Sequence, residues 1–510
     1  MSLATPAYHL PAGLACGDKR GYRVRLGPGE TVSAPPAATV ALEVELPELT
    51  AEDLATTCDR LIEAARPLAR MPVADRIAAI ANVAAAWRGP ASPWRRLAIE
   101  TLPLVTGYPA LAVAAALDNL WGALTTADLA AVVRAEIGSA PRMATTTNAR
   151  EVSAPAATHH RAGAGSRQDT AHLAVHMLAG NIPGAGVFGM IAALLAGVPS
   201  LVKTARREPL LPVLVARSLA AEDARLGAAL AVTHWPGGTA PLDTLALARA
   251  GVVLAYGRNA TLARIAAHGP RRLLRFGPRV SAGLVTREAC DRVTAANTAR
   301  QVALFDQQGC LSPQLVVIEE ADVASTDRFA EALAAGLARL ATSLPRAPLT
   351  LTEAANAWRF VEQQRWREQE GAAVRVYGDP AGRFTVVCDR SGTPPASPLN
   401  RHVVLVPVPT LAAASTVLGR LAGVVEAIGY AGTERRVTEA AALAAGCSAH
   451  RLCPLERMQT PPFAWRQSGH ARLASFLRPG ESDGSDTAWG GAGGAGEAAS
   501  GETKHRYGRA

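Results

Sequence analysis

The stretch from Phe305 to Gln314, reading FDQQGCLSPQ, carries the side chain best suited to covalent chemistry, Cys310. Gly309 before it leaves the sulfur a small neighbour, and Ser312-Pro313 closes the turn behind it. A thiolate so placed attacks activated carbonyls and carries the acyl group as a thioester. A helix N-terminus following the loop would lower the thiol pKa. Most cysteines are small buried hydrophobes, so the loop alone does not decide between the two roles.

A second candidate is AGNIPGAGVFG, Ala179 to Gly189. Gly184-x-Gly186-x-x-Gly189 lies between a strand pattern and a helix pattern, the outline of a dinucleotide-binding turn. The acidic residue expected about twenty positions later is missing. Lys203-Thr204-Ala205-Arg206-Arg207 stands there instead, and cations at that point suit phosphate and a ribose bearing a 2′-phosphate. Asn181, in the same turn, has an amide that could donate to a developing oxyanion, an interaction worth about 3 kcal/mol. Its ordinary alternative is a turn-forming Asn before Ile-Pro. The doublet Gly237-Gly238 is a turn at which a ligand can approach closely, so Gly238 is counted with the cofactor residues.

Other groupings lean structural. Cys447, His450 and Cys453 have the spacing of three ligands without a fourth, and no metal is expected. Arg271, Arg272, Arg275 and Arg279 gather around Gly277, either to hold a phosphate of CoA or as a solvated edge.

Elements must position these loops. Residues 1–48 read as an N-terminal arm with strand-like runs at Tyr22 to Leu26 and Thr39 to Leu46. From Leu49 the pattern is helical, opened by Thr50 as N-cap with Asp53 three residues on. Helical patterns continue through Thr126 to Ile137. Residues 139–168, with the pair His159-His160, read as an extended connection. From Ala171 short apolar runs alternate with helices as far as Ala267, which calls for crossovers and a parallel sheet. The alternation resumes after Arg279, with a strand from Gln314 to Glu319 and a helix over Leu411 to Ala427. The fold class is α/β, in units of 1–48 (arm), 49–284 (helical prelude and cofactor-binding domain), 285–425 (catalytic domain), 426–479 (a segment returning to the cofactor domain) and 480–510. That last tail is Gly, Ser and Ala rich and is expected to be disordered.

The totals exclude several classes. At 510 residues the chain exceeds what one core serves. Its formal charge of +9 is scattered among acids, and aromatics are 5%, so neither a basic stripe nor stacking platforms point to nucleic acid. Seven cysteines at irregular spacing argue against a secreted disulfide framework. No run of eighteen apolar residues suggests a membrane span, and the cytosol is the expected location.

Together the stretches Gly107-Tyr108, Gly180-Asn181-Ile182-Pro183, Leu201-Val202-Lys203, Trp235-x-Gly237-Gly238, Tyr256-Gly257 and Asp306 to Gln314 resemble the LuxC-type acyl-CoA (fatty acid) reductases of the aldehyde dehydrogenase superfamily, over residues 50–475. The resemblance implies a Rossmann-type cofactor domain beside an α/β catalytic domain. It implies that Cys310 forms the thioester and that Asn181 with the Cys310 backbone N–H makes the oxyanion hole. Lys203 would contact the cofactor ribose and Gly257 its pyrophosphate.

Arg206 fills the position of a ribose-binding glutamate in acid-forming relatives, which favours NADPH. Arg275 to Arg279 stands where those relatives carry a Glu-Leu-Gly-Gly-Lys segment, so no carboxylate is expected to activate water. Pro398-Leu399-Asn400-Arg401 replaces a Glu-x-Phe-Gly-Pro segment, and Gln467-Ser468-Gly469-His470 a motif with His-Asp-Gly. The implied reaction is NADPH-dependent reduction of an acyl-CoA, or an acyl-protein thioester, to the aldehyde. The same residues could run oxidatively, from aldehyde to acyl-CoA, or Cys310 could carry and transfer an acyl group without hydride. An acyl-protein synthetase partner and a homo-oligomer are what the resemblance leads one to expect.

Overall fold

The computed structural model describes residues 5–11, 21–26, 42–137 and 173–477. The expected connection at 139–168, with His159-His160, and the expected tail from 480 lie outside them.

The strands Thr5–Pro6, Leu42–Pro47 and Gly21–Leu26 form a small sheet in that order. His9 then exchanges backbone hydrogen bonds with Val232, at 2.8 and 2.7 Å, so the arm is tied to the edge of the main body.

Five helices follow: Ala51–Arg70, Val73–Arg88, Pro93–Thr106, Ala110–Gly122 and Thr126–Ile137. The first opens with the expected capping box, in which Thr50 and Asp53 satisfy each other's backbone N–H groups. These helices bury their apolar faces against the next unit, where Trp87 stacks on Trp121 at 4.9 Å and donates to Ser218. No single helix among the described residues is long and apolar enough to cross a membrane.

The first large sheet has five parallel strands in the order Leu230–Thr233, Ser200–Lys203, Ala174–Met177, Val252–Tyr256, Leu273–Phe276. The chain starts at the centre, builds outward to one side, then crosses to the other. That reversal leaves a crevice at the C-terminal ends of Ala174–Met177 and Val252–Tyr256, where ligands of such sheets bind. The helix Val187–Leu195 is buried along almost its whole length beneath it.

The second sheet has seven strands in the order Val374–Gly378, Thr385–Asp389, His402–Val408, Pro313–Glu319, Val280–Val285, Val425–Ala431, Arg451–Pro454, and all neighbours are parallel except the first two. Val280–Val285 belongs to this sheet, so the division expected near residue 285 falls within a strand. Of the segment 426–479, Val425–Ala431 and Arg451–Pro454 pair in the second sheet, while Phe463, Leu473 and Phe476 enter the core of the first.

One expectation is overturned. The helix read over Leu411 to Ala427 stops at Gly419, and Gly423, in the left-handed region at φ 80°, turns the chain into the strand Val425–Ala431. Two irregularities interrupt the parallel pairing around Val280 and Ser281, one between Val425 and Ala427 and one between Pro313 and Leu315. Glu426 and Gln314 are the extra residues. A bulge re-aims a side chain, and both sit beside the Cys310 loop.

Candidate active site

The helix Arg292–Ala303 leads into the Cys310 loop. Phe305, Asp306 and Gln307 are left-handed in succession, at φ 59°, 52° and 62°. Non-glycine residues enter that region at a cost of about 1–2 kcal/mol each, so the surroundings must hold them there. A second left-handed triplet does so: Leu399, Asn400 and Arg401, at φ 67°, 56° and 71°. The Asn400 N–H donates to the Asp306 carbonyl at 2.9 Å, and the Arg401 guanidinium donates to the Asp306 carboxylate at 2.6 Å. The Gln308 amide donates to the Asn400 side chain at 2.9 Å. Burial pushes the Asp306 carboxyl up against the opposing pull of Arg401. The segment Leu399 to Arg401 therefore fastens the cysteine loop.

Asn181 reaches that loop from the nucleotide sheet. Its side-chain nitrogen donates to the Gln308 carbonyl at 2.7 Å. A primary amide has two N–H groups, which leaves the second for an incoming carbonyl oxygen. Tyr108 holds the same two loops from below, with its hydroxyl 2.9 Å from the Asn181 carbonyl and 3.2 Å from that of Phe305. Its ring meets Phe305 edge-on.

Cys310 and Asn181 open onto one cavity of about 790 Å³ that runs to the crevice of the five-stranded sheet. Gly257, Arg206, Arg207, Arg258 and Arg279 line it. No Asp or Glu is among the lining residues. Gly186, at φ 89°, has no room for a side chain, since a Cβ there would stand 2.4 Å from Leu178. Lys203 and Gly238 are placed differently. They lie at neighbouring strand ends outside the cavity wall, with the Lys203 ammonium 5.5 Å from the Trp235 ring centre and the Gly238 N–H donating to Asp243 at 2.9 Å. Burial lowers the Lys203 pKa.

The thiol itself is not pre-ionised. A strand, not a helix, follows the loop, so no helix N-terminus favours the thiolate. Burial, and then the carboxylate of Glu426, push the Cys310 thiol up to about 12, against weaker pulls from its own backbone N–H, Arg279 and a hydrogen bond from Gln467.

The segment Arg275 to Arg279 brings no carboxylate to the cavity, yet a carboxylate from elsewhere in the chain, Glu426, acts electrostatically on the sulfur. Arg275 is exposed and points away from the cavity. Glu426, fully buried on its bulge, approaches from the strand Val425–Ala431. It accepts from the Ser468 N–H at 2.9 Å and from the Ser468 hydroxyl at 3.3 Å. Arg279 lies 3.7 Å and His450 3.6 Å from the same carboxylate. Of the arginines around Gly277, Arg279 joins this cluster, while Arg272 donates to the Leu477 carbonyl.

Two α/β layers meeting at a cysteine, with a nucleotide-type crevice on one side, define the aldehyde dehydrogenase fold. Solved structures agree. Aldehyde dehydrogenase 21 from Physcomitrella patens superposes with a TM-score of 0.64 at 14% identity, over 93% of this chain and 97% of that one. The NAD-dependent benzaldehyde dehydrogenase from Corynebacterium glutamicum gives 0.61 at 15%, over 90% and 96%. Within that class the match is narrower: residues 68–478 fit the model of the acyl-CoA reductase (LuxC) family, and the chain belongs to it. A long-chain acyl-protein thioester reductase from Photobacterium leiognathi is 27% identical over 226 residues, which are 41% of this chain and 45% of that protein. One from Photorhabdus luminescens is 28% identical over 237 residues, 45% and 48% of the two chains. The chain thus spans about half the length of the curated relatives it matches.

Proposed function

We propose that the protein reduces an acyl thioester, acyl-CoA or acyl-protein, to the aldehyde with NADPH, through a thioester on Cys310. The observation that carries this reading is the single cavity joining Cys310 and Asn181 to a nucleotide crevice lined by arginines and by no carboxylate.

A dinucleotide phosphate suits the residues present. The glycine turn at Gly184 and Gly186 and the open backbone at Gly257 admit a pyrophosphate. Arg206 and Arg207 offer planar donors to a 2′-phosphate that a glutamate would repel, and Lys203 at the adjoining strand end adds positive charge. Gly238 stands at the same rim. Bound there, NADPH supplies hydride.

The protein's own residues do the rest. The Cys310 sulfur attacks the acyl carbonyl as its proton is removed. Asn181, held by Gln308 and Tyr108, donates its remaining amide N–H to the oxyanion, joined by the Cys310 backbone N–H. The carrier thiol departs and leaves the acyl group on Cys310. After reduction the sulfur is released, taking a proton back. Because the thiol is the stable form in this site, the sulfur leaves readily only as it is protonated.

The test is a panel of acyl-CoA thioesters with NADPH consumption and aldehyde formation as paired readouts. Equal amounts of the two support the reading. Acyl transfer to Cys310 with no NADPH consumed at any chain length would leave an acyl carrier in its place.

A further inference from the structure

Behind Cys310 the bulge at Glu426 brings a buried carboxylate between two cavities. Ser468, which donates to Glu426 twice, lines the Cys310 cavity. His450, 3.6 Å from the carboxylate oxygen that also accepts from the Ser468 hydroxyl, lines a second cavity of about 800 Å³. Asn119, Pro461 and Trp465 form the wall common to the two cavities. Several irregularities converge on the pair. The strand carries an extra residue at Glu426, Ser468 is left-handed at φ 51°, and a Cβ on Gly469 would stand 3.2 Å from the His450 ring. Ser281 fixes the depth, donating to the Cys310 carbonyl at 2.7 Å and accepting from the Ala427 N–H at 3.1 Å.

We infer that Glu426 and His450 are a proton relay that connects the Cys310 sulfur with the solvent of the second cavity. This rests on the reductase reading above for its second half. In acylation the S–H bond of Cys310 breaks and its proton passes to Glu426. The sulfur bonds to the acyl carbon, the bond to the carrier sulfur breaks, and the departing thiolate takes that proton. In reduction a hydride from the reduced nicotinamide brings two electrons to the acyl carbon. The bond to Cys310 then breaks, and the electron pair remaining on sulfur takes a proton that enters through His450 and Glu426. One proton is consumed per hydride, and the relay supplies it.

The charged and titratable groups facing the relay are Arg279 beside Glu426, His470 near His450, and Arg451, which acts electrostatically on Cys310. The Arg279 guanidinium lies 3.7 Å from the carboxylate. A purely structural role for the pair explains neither the extra strand residue nor the exit of His450 into a second cavity. A thiol held protonated by its surroundings needs such a base.

The experiment uses the full chain and two readouts. The first is the burst of p-nitrophenolate from a p-nitrophenyl fatty ester without cofactor, which reports acylation of Cys310. The second is NADPH consumption with decanoyl-CoA. Glu426→Gln is expected to slow the burst about a hundredfold or more, within the range of general-base effects, and Glu426→Asp to recover part of it. His450→Ala is expected to slow NADPH turnover more than the burst. Imidazole entering the second cavity should restore it, increasingly as pH falls through the imidazole's own ionisation, because the protonated form is the donor. Rescue of Glu426→Gln by imidazole is not expected.

A burst unchanged in a folded Glu426→Gln protein, or a His450→Ala defect that imidazole leaves untouched, overturns the relay. A normal wild-type burst without NADPH consumption overturns the reductase reading alone, since the burst still judges Glu426. No burst in the wild type contradicts both, because both begin with a thioester on Cys310.

Discussion

The Asn181 side-chain nitrogen donates to the Gln308 carbonyl at 2.7 Å, and this bond ties the glycine turn of the nucleotide sheet to the loop that presents Cys310. The residue that would stabilise the oxyanion is therefore held by the loop of the proposed nucleophile. Replacing it removes the donor and the tie together. Asn181→Ala is expected to lower kcat for acyl thioester reduction by about 10²–10³-fold, with little change in thermal stability because the side chain is exposed. Steady-state kinetics beside a melting curve checks both halves. A kcat within threefold of wild type would remove Asn181 from the chemistry.

The Asp306–Arg401 pair locks two left-handed triplets against each other, with both side chains almost wholly buried. Removing one partner leaves an uncompensated buried charge, which costs about 3–5 kcal/mol. Arg401→Met should lose stability of that order in urea unfolding. The rate of Cys310 acylation should fall with it, since the loop is no longer held. Full acylation at native rate in the destabilised protein would show that the triplets serve folding alone.

Arg206 and Arg207 are the nearest candidates for a 2′-phosphate. Arg206→Glu should raise the KM for NADPH by about tenfold or more and lower that for NADH, because a carboxylate repels the phosphate and suits a free ribose hydroxyl. Comparing kcat/KM for the two cofactors tests it. An unchanged ratio would move the phosphate site elsewhere, with Lys203 the next residue to replace.

His176 and His402 set an acid limit on the fold. Burial lowers both to about 3, with Arg346 adding to the effect at His402. Unfolded histidine titrates near pH 6.5. Between about pH 6.5 and 3 the unfolded chain binds two protons that the folded chain does not, so their contribution is complete above 6.5 and is lost as pH falls toward 3. The two together contribute a slope of about 2.7 kcal/mol per pH unit in that window. Neither ring nitrogen of His402 has a hydrogen-bond partner among the described residues. His402→Phe should flatten the acid limb of a stability profile measured by urea titration. An unchanged slope would mean that His402 is protonated in the folded state.

Much of this was readable in the residues. The alternation from Ala174 to Ala267 follows from short apolar runs separated by helix-length segments, while the strand Leu273–Phe276 was masked by its arginines; FDQQGCLSPQ singled out the loop proposed to carry the nucleophile. Glu426 was hidden for a definable reason. The run from Leu411 to Ala427 reads as one continuous helix, and only the turn at Gly423 followed by a bulged strand buries Glu426 where its charge acts on Cys310. His450 carries no signal in the Cys447-His450-Cys453 spacing, because its neighbour Glu426 lies 24 positions earlier, on the strand Val425–Ala431, while His450 sits in the bend before Arg451–Pro454. Arg275 drew attention by its place in a motif, yet the strand Leu273–Phe276 exposes it and leaves Arg279 to face the site. The signal that could have found Glu426 is an acidic residue inside the otherwise apolar VVEAIGYA, where a buried carboxylate requires a partner.

The central claim is that Cys310 carries the acyl group, and radiolabelled acyl-CoA tests it most directly. Incubated without NADPH, the wild type should retain about one label per chain after denaturation, released by hydroxylamine as a thioester is, and Cys310→Ala should retain none. Equal label on the two proteins would contradict the account.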